Sequence, residues 1–159
     1  AMSGDLATDH DARRLEEAGI PARSITTGSA CHLDAEMVHH ALHHLDLGHT
    51  DVLFVENVGN LVCPAIYDLG EHARVVALSV TEGEDKPLKY PKMFRMARYA
   101  VLNKIDLLPH LDFDLDLAVR YAREINPELR FFFASARSGE GLDEWFQFLR
   151  AEARAPAHR

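Results

Sequence analysis

Short apolar, β-rich runs alternate with helix-patterned stretches along nearly the whole chain, and this alternation limits the fold more than any other feature. The runs are Arg23 to Thr27, Asp51 to Glu56, Arg74 to Val80, Tyr99 to Asn103 and Arg130 to Ala134. Before, between and after them lie helical patterns at Asp11 to Ala18, Asp34 to Leu45, Pro91 to Arg98, Asp114 to Ile125 and Gly141 to Ala151. Strand, helix, strand in this order predicts an α/β fold with a mostly parallel sheet and helices on both faces. In such sheets ligands bind beyond the carboxyl ends of the strands. The loops after those runs are therefore where chemistry is expected.

With 159 residues, of which 47% are hydrophobic, the chain suffices for one ordinary core. One domain is expected over residues 1–153, with a frayed tail at 154–159. The start is abrupt: Ala1-Met2 reads either as a cloning remnant or as the end of a strand that begins upstream. The formal charge of −8, with no basic block, argues against nucleic-acid or anionic-membrane partners. No apolar run approaches the roughly 20 residues of a membrane span. Without a signal-like start, a cytoplasmic location is expected. Two cysteines make no disulfide framework, and in a reducing compartment they lean toward metal or thiol chemistry.

The stretch from Val55 to Pro64 concentrates that chemistry. A strand ends in Glu56, Gly59 follows three residues later, and Cys63 stands before Pro64. Glu-x-x-Gly at a strand end is a pattern in which the acid holds Mg²⁺ through water and the glycine N–H meets a terminal phosphate. A plain strand end with a turn glycine has the same letters. Asp5 and Thr8, before the first helix, read either as a further Mg²⁺ or switch contact or as helix-start residues.

Asn103-Lys104-Ile105-Asp106 closes an apolar strand. A carboxylate accepts both N–H groups of a guanine edge, an amide reads the acceptor side, and a lysine stem covers the ring. Downstream, Ser135-Ala136 ends another strand, where the Ala136 N–H is placed to meet the guanine carbonyl. The alternative is a surface turn in which Asp106 caps a segment ending at Pro109. No Gly-x-x-x-x-Gly-Lys-Ser/Thr cradle occurs in the sequence, so base-reading and switch elements stand here without a phosphate anchor.

Cys31-His32 precedes one helix and Cys63 follows one strand. If both loops meet at one sheet edge, two thiolates and an imidazole suit Zn²⁺ or Ni²⁺. The bland reading is cysteines packed as small apolar residues. His39, His40, His43 and His44 give two i, i+4 pairs on the second helix, either a solvated surface or a store for excess nickel. Trp145, Phe146 and Phe148 read as core residues of the last helix.

Taken together, Gly4-Asp5, Thr8, Asp11-Ala12, Thr27-Gly28, Cys31 to Ala35, Glu56 to Pro64, Thr81 to Pro87, Asn103 to Asp106 and Ser135-Ala136 resemble the nickel-insertion GTPases of hydrogenase maturation, the HypB family. The resemblance covers nearly the whole chain. It implies a SIMIBI-type P-loop GTPase, here without the first strand and phosphate loop, which in the family lie upstream of Gly4. A truncated chain that is inactive alone is expected. It also implies GTP with Mg²⁺, Ni²⁺ or Zn²⁺ on Cys31, His32 and Cys63, and a homodimer sharing metals across a two-fold axis. Glu56, Gly59 and Asp5 would serve hydrolysis, and Asn103, Lys104, Asp106, Ser135 and Ala136 the base. The implied partners are a [NiFe]-hydrogenase large subunit and other nickel accessory proteins. Two further readings remain open: a urease-type nickel accessory GTPase, expected to carry Cys-Pro-His instead, and a metal-binding dimerisation fragment without hydrolysis.

Overall fold

Apolar strands that recur after helices pair in parallel, because a helical crossover returns the chain to the same end of the sheet. The computed structural model, which describes residues 1–5 and 9–154, contains two such sheets, each of three parallel strands. Thr8 and residues 155–159 of the expected tail lie outside the described residues. The chain divides into two compact units, Ala1–Glu71 and His72–Arg159.

The first unit runs β1 (Met2–Asp5), α1 (His10–Glu17), β2 (Arg23–Thr26), α2 (Ala35–Leu42) and β3 (Val55–Glu56), with sheet order β2-β1-β3. Gly4-Asp5 therefore belongs to a central strand. Its core gathers Met2, Leu33 and Val38, against which Ile25, Met37, Leu53 and Val55 pack. The predicted strand from Asp51 shrinks to two residues, and Val52 and Phe54 are exposed. Its ladder with β1 covers only Met2 opposite Val55 and Ser3 opposite Glu56, with the Met2 N–H bonding to Phe54 O. The second helix is shorter than its apolar pattern suggested. Asp34 caps it, accepting from Met37 N at 2.8 Å, and it ends at Leu42 rather than Leu45.

The second unit runs β4 (Val75–Ser79), α3 (Lys86–Lys89), α4 (Pro91–Met96), β5 (Tyr99–Asn103), α5 (Leu115–Ile125), β6 (Arg130–Phe133) and α6 (Leu142–Arg154), with order β4-β5-β6. Here strands of four and five residues form full ladders. Tyr99, Phe132 and Phe148 make the core, with ring centroids 4.5 Å (Tyr99 to Phe148) and 4.8 Å (Phe132 to Phe148) apart. Trp145 joins them at 5.0 Å from Phe132. Such pairs add about 0.5–1.5 kcal/mol each beyond their buried area. Phe146, expected in this core, is exposed, because at 100° per residue it lies off the stripe formed by 145, 148 and 149. The 3₁₀ turn after β5 continues through Pro109 to His110 rather than stopping at the proline.

Candidate metal centre and base-reading loop

Two loops of the first unit bring the predicted ligands together. Cys31 and His32 lie just before the Asp34 cap of α2, and Cys63 opens a 3₁₀ turn stiffened by buried Pro64. The donor atoms of Cys31, His32 and Cys63 all lie within 4.8 Å of one another. The two sulfurs are 2.7 Å apart, and Cys31 Sγ is 3.7 Å from His32 Nδ1. Two thiols and an imidazole are a donor set that Zn²⁺ and Ni²⁺ accept, leaving a fourth position open. At a metal–sulfur bond of about 2.3 Å, tetrahedral coordination separates two sulfurs by about 3.8 Å. A bound ion would therefore push the thiols apart by roughly 1 Å.

The sulfur–sulfur hydrogen bond holds the Cys63 thiol above the ordinary thiol range, with burial and repulsion from Cys31 adding to it. In the metal-free protein Cys63 is thus protonated at neutral pH, and a metal must displace that proton. His32 is oriented by Tyr67, whose ring stacks on the imidazole at 3.8 Å between centroids and 10° between planes.

Two asparagines that the sequence reading left without a role fasten these loops. Asn60 Oδ1 accepts from Val62 N at 3.0 Å and Cys63 N at 2.9 Å, while its Nδ2 donates to Cys31 O at 2.7 Å. One side chain therefore grips both cysteine loops. Asn57 Oδ1 accepts from Leu33 N and Val58 N, each at 2.8 Å, tying the strand end of Glu56 to the residue after His32. Two asparagines around a glycine are a turn signal, since their short amides readily bond nearby backbone. That they bond a loop 24 and 29 residues away is not readable from the spacing.

The predicted switch residues sit at the same sheet. Glu56 ends β3, and its Oε2 accepts from the buried Ser3 Oγ at 3.1 Å. Asp5 ends β1, where its carbonyl accepts from Thr27 N at 2.9 Å. Thr27 Oγ1 donates to Ala30 O at 2.7 Å, bracing the turn that leads to Cys31. Gly59 is exposed, with open space where a Cβ would stand.

In the second unit, Asn103 ends β5 and Lys104 turns the chain with a left-handed φ of 63°. Asn103 Oδ1 accepts from Lys104 N at 2.7 Å and from Ala136 N at 3.1 Å. The Ala136 N–H, expected to face a guanine carbonyl, thus donates to Asn103 Oδ1. Ser135 is fully buried; its Oγ accepts from Ser138 N at 3.1 Å and shapes the loop. Asp106 Oδ1 is buried and has no hydrogen-bond partner among the described residues. An unpaired buried carboxylate oxygen is costly, and a donor from a ligand would relieve that cost.

The CobW/HypB/UreG nucleotide-binding domain profile matches residues 2–133. The hydrogenase maturation factor HypB of Azotobacter vinelandii is 57% identical over 151 residues, covering 95% of this chain and 50% of the relative. The chain thus spans about half the length of the curated relatives it matches first. The crystal structure of HypB from Helicobacter pylori in complex with nickel superimposes with a TM-score of 0.93 at 39% identity, covering 99% of this chain and 77% of that one. HypB from Archaeoglobus fulgidus matches with a TM-score of 0.86 at 41% identity, over 96% and 74%.

Proposed function

The chain belongs to the CobW/HypB/UreG family and matches its HypB members, and on that premise we propose that it is the nucleotide-responsive domain of a nickel-insertion factor for [NiFe]-hydrogenase. Cys31, His32 and Cys63 hold the metal, which is cargo rather than a resident cofactor. GTP with Mg²⁺ controls its release, with Asn103, Lys104, Asp106, Ser135 and Ala136 serving the base and Glu56, Gly59 and Asp5 answering to the phosphate end. The active form is a homodimer working in the cytoplasm with other nickel accessory proteins and the hydrogenase large subunit. No helix among the described residues is long and apolar enough to cross a membrane. Because these 159 residues contain no phosphate cradle, hydrolysis by them alone is slow.

The convergence of the three donors within 4.8 Å carries the metal reading. Calorimetric titration with Ni²⁺ and with Zn²⁺ should give one tight site that Cys63→Ala loses, with a change in oligomer size. Binding should release protons and strengthen as pH rises toward the raised pKa of Cys63, because the thiol must ionise to ligate. Unchanged affinity in Cys63→Ala would remove the metal reading.

The orphaned Asp106 oxygen supports the base reading. On a chain extended upstream to include the phosphate loop, Asp106→Asn should weaken GTP by about 100-fold or more, since one of two bonds is lost, the other loses its charged acceptor, and the new amide N–H opposes the guanine amine. It should also gain affinity for xanthosine triphosphate, whose carbonyl replaces the guanine amine and accepts from the new amide. A variant that binds GTP as before would overturn the assignment.

A further inference from the structure

His39 and His43 meet edge to face one turn apart on α2, with ring centroids 4.9 Å apart and planes crossing at 81°. Both are exposed. Residues four apart on a helix have Cβ atoms about 5–6 Å from each other, a gap that one ion closes through two metal–nitrogen bonds of about 2.0–2.1 Å. His43 caps α2 with φ −61° and ψ −15°, still right-handed helical, so the spacing holds through the second ligand.

The parallel pair, His40 and His44, is differently placed. His40 Nε2 lies 3.8 Å from Glu36 Oε1, one turn back toward the start of α2. His44 is past the helix end, where its N–H bonds to Ala41 O at 3.1 Å in a tightened turn. Of the two i, i+4 pairs, the first has its imidazole rings in contact; His39 also meets the ring of His40, more distantly, at 6.2 Å between centroids.

We propose that His39 and His43 bind one divalent ion of the Ni²⁺ or Zn²⁺ class, completed by water, as a second metal site separate from Cys31, His32 and Cys63. Neutral imidazoles suit these ions. The last turn of a helix adds to this, since its unpaired carbonyls and the negative end of the helix dipole favour a cation. Two ligands with an open outer face make a weaker and faster-exchanging site than three donors that include two sulfurs. The cysteine loop enters α2 at its start and this pair stands at its end, about 10 Å further along at 1.5 Å per residue. The two sites cannot share an ion. Each binds its own equivalent, and the outer one places a loosely held ion within one helix length of the thiols.

The test is a Ni²⁺ titration of untagged protein by calorimetry, with ring signals of the histidines followed by NMR. The protein should bind a second, weaker equivalent, and in the Cys31→Ala/Cys63→Ala double variant that weak equivalent should remain, with His39 and His43 signals broadening first. His39→Gln/His43→Gln should lose it while keeping the tight equivalent and an unchanged Tm. His39→Gln alone should weaken it by about tenfold or more, because the second contact is no longer intramolecular. His40→Gln/His44→Gln should leave it intact. A single equivalent in the parent protein, or a weak equivalent that survives His39→Gln/His43→Gln, overturns the proposal. Both results are independent of whether the tight site serves hydrogenase maturation.

Discussion

The two units hold their candidate ligand residues by different means. In residues 72–154 the candidate base residues Asn103, Lys104 and Asp106 stand at the end of β5, a five-residue strand paired on both sides above a core of Tyr99, Phe132 and Phe148. In residues 1–71 the thiols stand on loops beside a two-residue strand, and side-chain amides do the fastening. Regular backbone pairing presets a site before its ligand arrives. Loops tied by a few half-buried amides keep a shape that a bound ion or phosphate can change at modest cost, which is what the proposed uptake and release of metal would require.

Packing should dominate the second unit. Phe132 is fully buried, and Phe132→Ala should lower stability by about 3–5 kcal/mol, seen as a drop in the urea midpoint. Metal affinity at the cysteines should persist wherever the variant remains folded. If affinity fell with stability, the contrast between the two regions would fail. The corresponding point in the first unit is Gly4. A Cβ there would stand 2.8 Å from Leu33 Cγ and Cδ1, and Leu33 follows Cys31 and His32 directly. Gly4→Ala should therefore cost about 1–3 kcal/mol by overpacking and weaken metal binding as well. Loss of stability with unaltered metal affinity would show that the cysteine loop does not depend on its packing against β1.

Regular elements were legible where apolar pattern and packing agree. Tyr99–Asn103 has the bounds its run of apolar residues indicates, and Asp114 caps α5 as its position before Leu115 suggests, accepting from Leu117 N. The two-residue β3 was not legible, because which positions of the apolar run pair with β1 is a fact about register rather than composition. Nor was α3, whose four residues hold a proline and too few apolar positions for a period. At the metal centre, Cys31, His32 and Cys63 stood out by residue type. Asn57 and Asn60 did not, since their partners lie in another loop, and only the fold shows which backbone groups they reach.

Asn60 gives the next sharpening. Asn60→Ala removes two bonds within the Cys63 loop and one to Cys31 O, and should weaken metal binding by about 10–100-fold, as losses of ligand-orienting partners do. Asn60→Asp keeps the acceptor for Val62 and Cys63 and loses only the donor to Cys31, so it should fall between the parent and the alanine variant. Equal loss in both would mean that the bond to Cys31 O alone sets the geometry.

The smallest effect on the free protein is expected at Gly59. Nothing stands within 4 Å of the place a Cβ would occupy, and its φ is not among the positive ones, so Gly59→Ala should change stability by no more than about 0.5 kcal/mol. The absent side chain therefore has no packing reason in this conformation. In the proposed switch role the bare backbone is needed only when a phosphate comes close, which would place the requirement for glycine in the nucleotide-bound form. In the chain extended upstream, Gly59→Ala should leave metal affinity without nucleotide intact and abolish the response of metal affinity to GTP. Intact GTP response would reduce Gly59 to a turn residue. A large loss of stability would instead mean that the loop between Glu56 and Cys63 is held as firmly as the end of β5, and the difference between the two regions would disappear.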